Sequence, residues 1–212
     1  MKRLGIIGGG DLGIQLAHHA SATQDLSAIG FFDDYLATGT FVSGLPVLGG
    51  ISDVLDQYSR GEFDELLIAI GYKHLSLRNE LFEKFNGKIP FARLIHPQAW
   101  IDPTSVIEPG AVVYPGCIVD MYSTIGCNTL LNVGCVIAHH SIIGASCFFS
   151  PAVKIAGFVR VAATSALGIG TVVIDNISIC SGVRTGAGAV VIDDITESGL
   201  YVGVPAKLKN RI

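Results

Sequence analysis

The sequence predicts two architectures in series: an α/β domain with a short parallel sheet over residues 1–98, then an all-β parallel β-helix over residues 99–200, closed by a tail at 201–212. Three observations carry this. From Ile101 an aliphatic or aromatic residue recurs every sixth position, through Ile107, Val113, Val119, Ile125, Leu131, Ile137, Ile143, Phe149, Ile155, Val161, Leu167, Val173 and Ile179. The series lapses at Thr185 and resumes at Val191. Four residues after most of these positions stands a small or slim one, such as Ser105, Ala111, Cys117, Ser123, Thr129, Cys135, Ser141 and Cys147. The third observation is that nothing of this period exists before residue 99, where apolar runs alternate with helix-like stretches.

A six-residue double pattern fits neither a helix nor a plain strand. It is the hexapeptide signature of a coil in which three repeats, roughly eighteen residues, make one turn. The large residue of each repeat points inward and stacks on its equivalents about 4.8 Å above and below. The small one fills a corner where bulk would force the turns apart.

In the first hundred residues, Lys2–Ile7 reads as a strand ending in Gly8-Gly9-Gly10, and 11–22 as a helix. Leu26–Phe32 reads as a strand ending in Asp33-Asp34, and Leu45–Leu48 as another. A helix follows over 51–58, a buried strand over Glu65–Ile70, a helix over Leu75–Phe85 and a last strand over Phe91–Ile95. Such alternation predicts a parallel sheet covered by helices, with the loops after its strands on one edge. Gly8, Gly10 and Gly13 have the G-x-G-x-x-G spacing between a strand and a helix, with Asp33 and Asp34 about twenty residues on. Glycines permit close backbone approach to a phosphate, the helix start offers N–H donors, and an aspartate accepts from a ribose hydroxyl. The domain is thus Rossmann-like but short, with room for one mononucleotide-binding half rather than two. Lys73 or Arg78 could neutralise phosphate at the same edge.

Composition narrows the class. Half of the 212 residues are apolar and 15% are charged, enough for a substantial core. Net charge is −4 with no basic block, which argues against a nucleic-acid-binding face. No apolar run is long enough to cross a bilayer, and the N-terminus lacks a cleavage site, so the expected compartment is the cytoplasm. Five cysteines all fall inside the repeat region, three at the small corner position, and read as compact buried residues rather than as disulfide or metal partners.

With its closing Gly203-Val204-Pro205-Ala206-Lys207 and the segments Ala69-Ile70-Gly71 and Ile95-His96-Pro97, the chain resembles, over its whole length, the bacterial nucleotide-sugar acetyltransferases. These comprise the N-acetyltransferases of bacillosamine and perosamine type and the related sialic acid O-acetyltransferases. The resemblance implies a left-handed coil, acetyl-CoA as co-substrate, no metal, and a homotrimer with active sites between subunits. It places a catalytic histidine at His139, in Val136-Ile137-Ala138-His139-His140. An imidazole there can take the proton that a sugar amine loses on attacking the thioester. His140, included with it as a catalytic candidate, stands where relatives usually carry a carboxylate. The resemblance further points to Gly8, Gly9, Gly10, Asp11, Leu12, Asp33, Asp34, Gly71 and Lys73 for the nucleotide sugar. For the coenzyme it points to Phe148, Gly157, Ile169, Gly186, Ala187, Pro205 and Lys207, with Lys209 and Arg211 extending a basic tail. Besides His140, two further departures are evident: Phe148 where relatives often have a histidine, and Leu12 likewise.

The expected reaction is acetyl-CoA-dependent N-acetylation of a nucleotide-linked amino sugar. Alternatives are sugar O-acetylation of the sialic acid type, which needs a stronger base, and an NAD-dependent oxidoreductase, which the glycine motif alone would suggest. A non-catalytic scaffold or ice-binding coil would show regular threonine ladders on an outer face; here the outward positions are mixed.

Overall fold

The structure, a computed structural model, describes residues 1–210. The chain divides into two compact units, Met1–His96 and the remainder from Pro97.

The first unit is built on a five-stranded sheet. Its strands are β1 (Lys2–Ile7), β2 (Leu26–Phe32), β3 (Phe41–Val42), β4 (Leu45–Gly49) and β5 (Glu65–Ile68), in the order β3-β4-β2-β1-β5. All pairings are parallel except the β3–β4 hairpin. β1 is central and ends in four consecutive buried residues, Leu4–Ile7, as expected of a strand covered on both faces. Helices α1 (Asp11–Ser21), α2 (Val54–Ser59) and α3 (Leu75–Phe85) follow β1, β4 and β5. Two expected strands are shorter than predicted. The β5 strand stops at Ile68, and Phe91–Ile95 reduces to a bridge from Phe91 to Leu66 and a two-residue strand, Leu94–Ile95.

The second unit is a left-handed parallel β-helix. Each six-residue repeat contributes one two-residue strand, and register advances by eighteen: Ile118 pairs with Val136, Val136 with Lys154, Lys154 with Val172 and Val172 with Val190. Three faces result, one through those residues, one through Thr124, Ile142, Arg160 and Ser178, and one through Val112, Leu130, Phe148 and Ala166. From Ile107 the second residue of each strand points inward and is buried, as the six-residue series predicted. Thr185, where that series lapses, is also inward: its hydroxyl is 2.7 Å from that of Thr171 and accepts from Gly168 N. The polar side chain is tolerated because its hydrogen bonds are made inside the coil.

The small corner residues act as polar seams. Ser141 Oγ donates to Ala156 O (2.8 Å) and accepts from Val159 N (3.2 Å). Ser123 Oγ does the same with Ala138 O and Ser141 N, one turn earlier. Cys117, Cys135 and Cys147 occupy equivalent positions, each thiol donating to a carbonyl across the corner, and all five cysteines are free. Every sixth residue from Gly110 to Gly188 adopts the left-handed conformation that turns the corner.

Candidate active site

Two regions carry the residues singled out in the sequence, one in each unit.

In the first unit, the ends of β1, β2 and β5 bring the glycine loop, the acidic pair and Ile70-Gly71 to one edge. Gly8 N donates to Phe32 O and Ala69 N to Ile7 O, so adjoining strand ends are tied together. Gly8 has φ +101, and a Cβ on Gly13 would lie 2.0 Å from Gly8 O. Only glycine lets α1 start this close to the strand end. The exposed Gly10 and Asp11, and half-buried Leu12, open α1, where the helix start presents its free amides. The acidic pair also has partners within the chain: Asp33 accepts from Gly9 N (2.8 Å) and Tyr35 N (2.9 Å), and Asp34 from Ile51 N (2.8 Å). Both carboxylates brace loops of the edge from within the chain. Lys73 is exposed in a single 3-10 turn, Tyr72–His74, just after Gly71. Arg78 is a correction. It is fully buried and donates to Ile68 O (2.8 Å) and Ile70 O (3.0 Å), so it shapes the strand end instead of meeting a phosphate.

In the second unit, His139 and His140 lie at the corner after strand Val136–Ile137. The two are not equivalent, which spacing alone did not reveal. His140 takes the left-handed corner position, φ 60, and is exposed; His139 is half-buried. The His139 ring folds over Gly157 one turn on: a Cβ there would stand 2.6 Å from its Cε1 and 2.9 Å from Nε2. His139 Nδ1 lies 3.2 Å from His140 Nδ1. Phe158 meets His139 edge-on at 5.2 Å between centroids and stacks on His140 at 4.8 Å, while Tyr122 lies 5.1 Å from His140 on the other side.

Tyr122, His140 and Phe158 are eighteen residues apart, and all three hold left-handed backbone, φ 57 to 60. That conformation costs a non-glycine residue about 1–2 kcal/mol. At the corner holding 116, 134, 152, 170 and 188 the same position is Gly or Ala, and at 110, 128, 146, 164 and 182 it is Gly, Asn, Ser or Thr. Bulky rings thus occupy the strained position only at the corner that carries His139. The reading of the sequence missed Tyr122 and Phe158, although their eighteen-residue spacing from His140 was the available signal.

The remaining coenzyme candidates disperse. Ile169 and Ala187 are exposed, one turn apart, at the corner preceding Val172, and half-buried Gly186 adjoins Ala187. Gly157 lies at the other corner, under His139. Pro205 is exposed after a cis peptide bond, and Lys207 lies 3.7 Å from Asp193. Phe148 is buried at 6% exposure, so little of its ring is presented to a cofactor within this chain. Arg211 lies outside the described residues. Among the described residues no cluster of ligands suited to a metal ion is found, and no helix is long and apolar enough to cross a membrane.

A hexapeptide β-helix bearing a histidine at a corner, on a chain that also carries a glycine-looped α/β unit, fits one class: an acyltransferase. The comparisons with known proteins make this particular. The PglD N-terminal domain family matches residues 3–85. PerB from Caulobacter crescentus, solved with CoA and GDP-perosamine, is 31% identical, with a TM-score of 0.91 over 99% of this chain and 98% of that one. A variant of GDP-perosamine N-acetyltransferase from the same organism, with a histidine replaced by alanine, is 30% identical, with a TM-score of 0.92 over the same shares. The acetyltransferase domain of PglB from Neisseria gonorrhoeae, solved with acetyl coenzyme A, is 28% identical, with a TM-score of 0.88 over 98% of this chain and 99% of that one. Among curated protein sequences no significant match was found. The chain belongs to the nucleotide-sugar N-acetyltransferases.

Proposed function

We propose that the protein transfers the acetyl group of acetyl-CoA to the amino group of a sugar carried on a nucleoside diphosphate, with His139 as general base. The observation that carries this is the corner itself, a half-buried imidazole held between His140, Phe158 and the open face of Gly157. The amine nitrogen attacks the thioester carbonyl while His139 Nε2 takes its proton. The tetrahedral adduct then collapses, the carbon–sulfur bond breaks, and the imidazolium returns the proton to the leaving thiolate. Backbone N–H groups at the coil turns are suited to hold the oxyanion.

The nucleotide-sugar reading of the first unit rests on Gly8, Gly9, Gly10, Asp11, Leu12 and Gly71 at one sheet edge, with Lys73 beside them. Asp33 and Asp34 support that edge and keep lone pairs for a ribose hydroxyl. PerB, solved with both CoA and GDP-perosamine, supports the pairing of the two substrates.

A homotrimer with sites between subunits belongs to the same proposal. The face through Trp100, Ile118, Val136, Lys154, Val172 and Val190 carries an apolar column in which Trp100 is 52% exposed and Ile118 41%. Its one charged member, Lys154, turns its ammonium to Gly134 O. One edge of this face is the His139 corner and the other carries Ile169 and Ala187. Packing such faces around a three-fold axis buries the column. It also allows one subunit's histidine corner to meet its neighbour's coenzyme corner, which accounts for the dispersal of the coenzyme candidates within one chain.

The test is His139→Ala. Turnover should fall by about 10²- to 10⁴-fold while nucleotide-sugar affinity persists. Turnover surviving within a few-fold overturns the assignment. O-acetylation is the second reading; the absence of a carboxylate at position 140 favours the more nucleophilic amine.

A further inference from the structure

His140 directly follows His139, and the geometry gives it a definite role. The two Nδ1 atoms are 3.2 Å apart, so one ring must donate and the other accept. A general base at His139 needs a free lone pair on Nε2, which puts the proton on its Nδ1 and makes His140 Nδ1 the acceptor, with the His140 proton on Nε2. Isolated imidazole side chains favour the Nε2–H form, so the partner decides which tautomer His139 holds.

We propose that His140 is a positioning residue: it accepts the Nδ1–H of His139, fixing the tautomer and plane of the base, and is itself held between the stacked ring of Phe158 and the tilted ring of Tyr122. This rests on His139 being the base of the reaction proposed above. The stack explains why three rings occupy left-handed corner positions at this corner alone.

Two variants separate the acceptor from the ring. His140→Phe keeps a stacking ring and removes the acceptor; His140→Asn keeps a carbonyl acceptor in a residue that tolerates left-handed backbone. With a nucleotide-linked amino sugar and acetyl-CoA, His140→Phe should lose about 10- to 100-fold in kcat with little change in either KM. His140→Asn should recover most of that loss. Equal impairment of the two variants, or full activity of His140→Phe, overturns the proposal. A measurement on the unmodified protein is independent of turnover. Nitrogen-15 spectra of the full chain, with the His139 signals identified by their loss in His139→Ala, should show a protonated Nδ1 and a bare Nε2 at neutral to mildly alkaline pH. An Nε2–H ring at His139 overturns the inference even where the enzyme is active, whereas undiminished turnover of His139→Ala would overturn the underlying reading instead.

Discussion

Gly157→Ala isolates how much of the activity depends on the floor beneath His139. A Cβ at this position would stand 2.6 Å from His139 Cε1, 2.9 Å from Nε2 and 3.2 Å from Nδ1. Carbon atoms pack comfortably at about 3.6 Å, so the ring must withdraw by roughly 1 Å. The backbone itself permits the change, because Gly157 is absent from the left-handed positions. Strain is relieved by the side chain: His139 is half-buried and its ring can swing outward, so stability should change by less than about 1 kcal/mol. Swinging out stretches the 3.2 Å contact with His140 and carries Nε2 away from the amine. A 1 Å misplacement costs about 10²-fold. The assay is steady-state acetyl transfer to a nucleotide-linked amino sugar beside a thermal melt. The expected result is kcat down about 100-fold with Tm almost unmoved. If Gly157 instead serves the coenzyme directly, KM for acetyl-CoA rises and kcat persists. That outcome, or turnover within a few-fold of wild type, refutes the reasoning.

Gly13→Ala should be far more damaging to the first unit, because its Cβ would collide at 2.0 Å with the Gly8 carbonyl, a backbone atom that moves only if the loop opens. A loss of about 3 kcal/mol or more, read by chemical denaturation together with lost nucleotide-sugar binding, is expected. Asp64 is held near a pKa of about 2 by its hydrogen bonds from Arg3, below its ordinary 3.8. A depressed carboxylate contributes stability above its unfolded pKa and loses it as pH falls through the folded one. Asp64→Asn should therefore melt below wild type at neutral pH and converge with it between pH 4 and 2; a gap that persists at pH 2 counts against this pairing.

The coil was readable in the sequence almost residue by residue because its repeat matches one geometric unit. An inward position every six residues has no competing explanation, and even Thr185 kept its place once its hydroxyl was paired inside. The first unit was readable in order but less well in detail. Charge and spacing make Arg78 a ligand candidate, whereas it is buried and bonds carbonyls of its own chain; Asp33 and Asp34 reach the expected edge, with backbone amides as partners that spacing does not reveal. Nothing in a one-dimensional pattern separates a carboxylate that braces an amide from one awaiting a hydroxyl. The histidines show the opposite limit. Their corner was evident, but the distinction between them depends on which residue takes the left-handed turn. That phase emerges only when the series Tyr122, His140 and Phe158 is read at the coil's full period of eighteen.

Ser141 follows His140 directly, and its hydroxyl bonds both Ala156 O and Val159 N, the residues on either side of Gly157 and Phe158. One oxygen thus clamps both ends of the segment on which the His139 ring rests. The cost of immobilising that segment falls on chain assembly and does not recur with each substrate. Within this chain the Gly157–Phe158 segment is thus tied down before any substrate arrives.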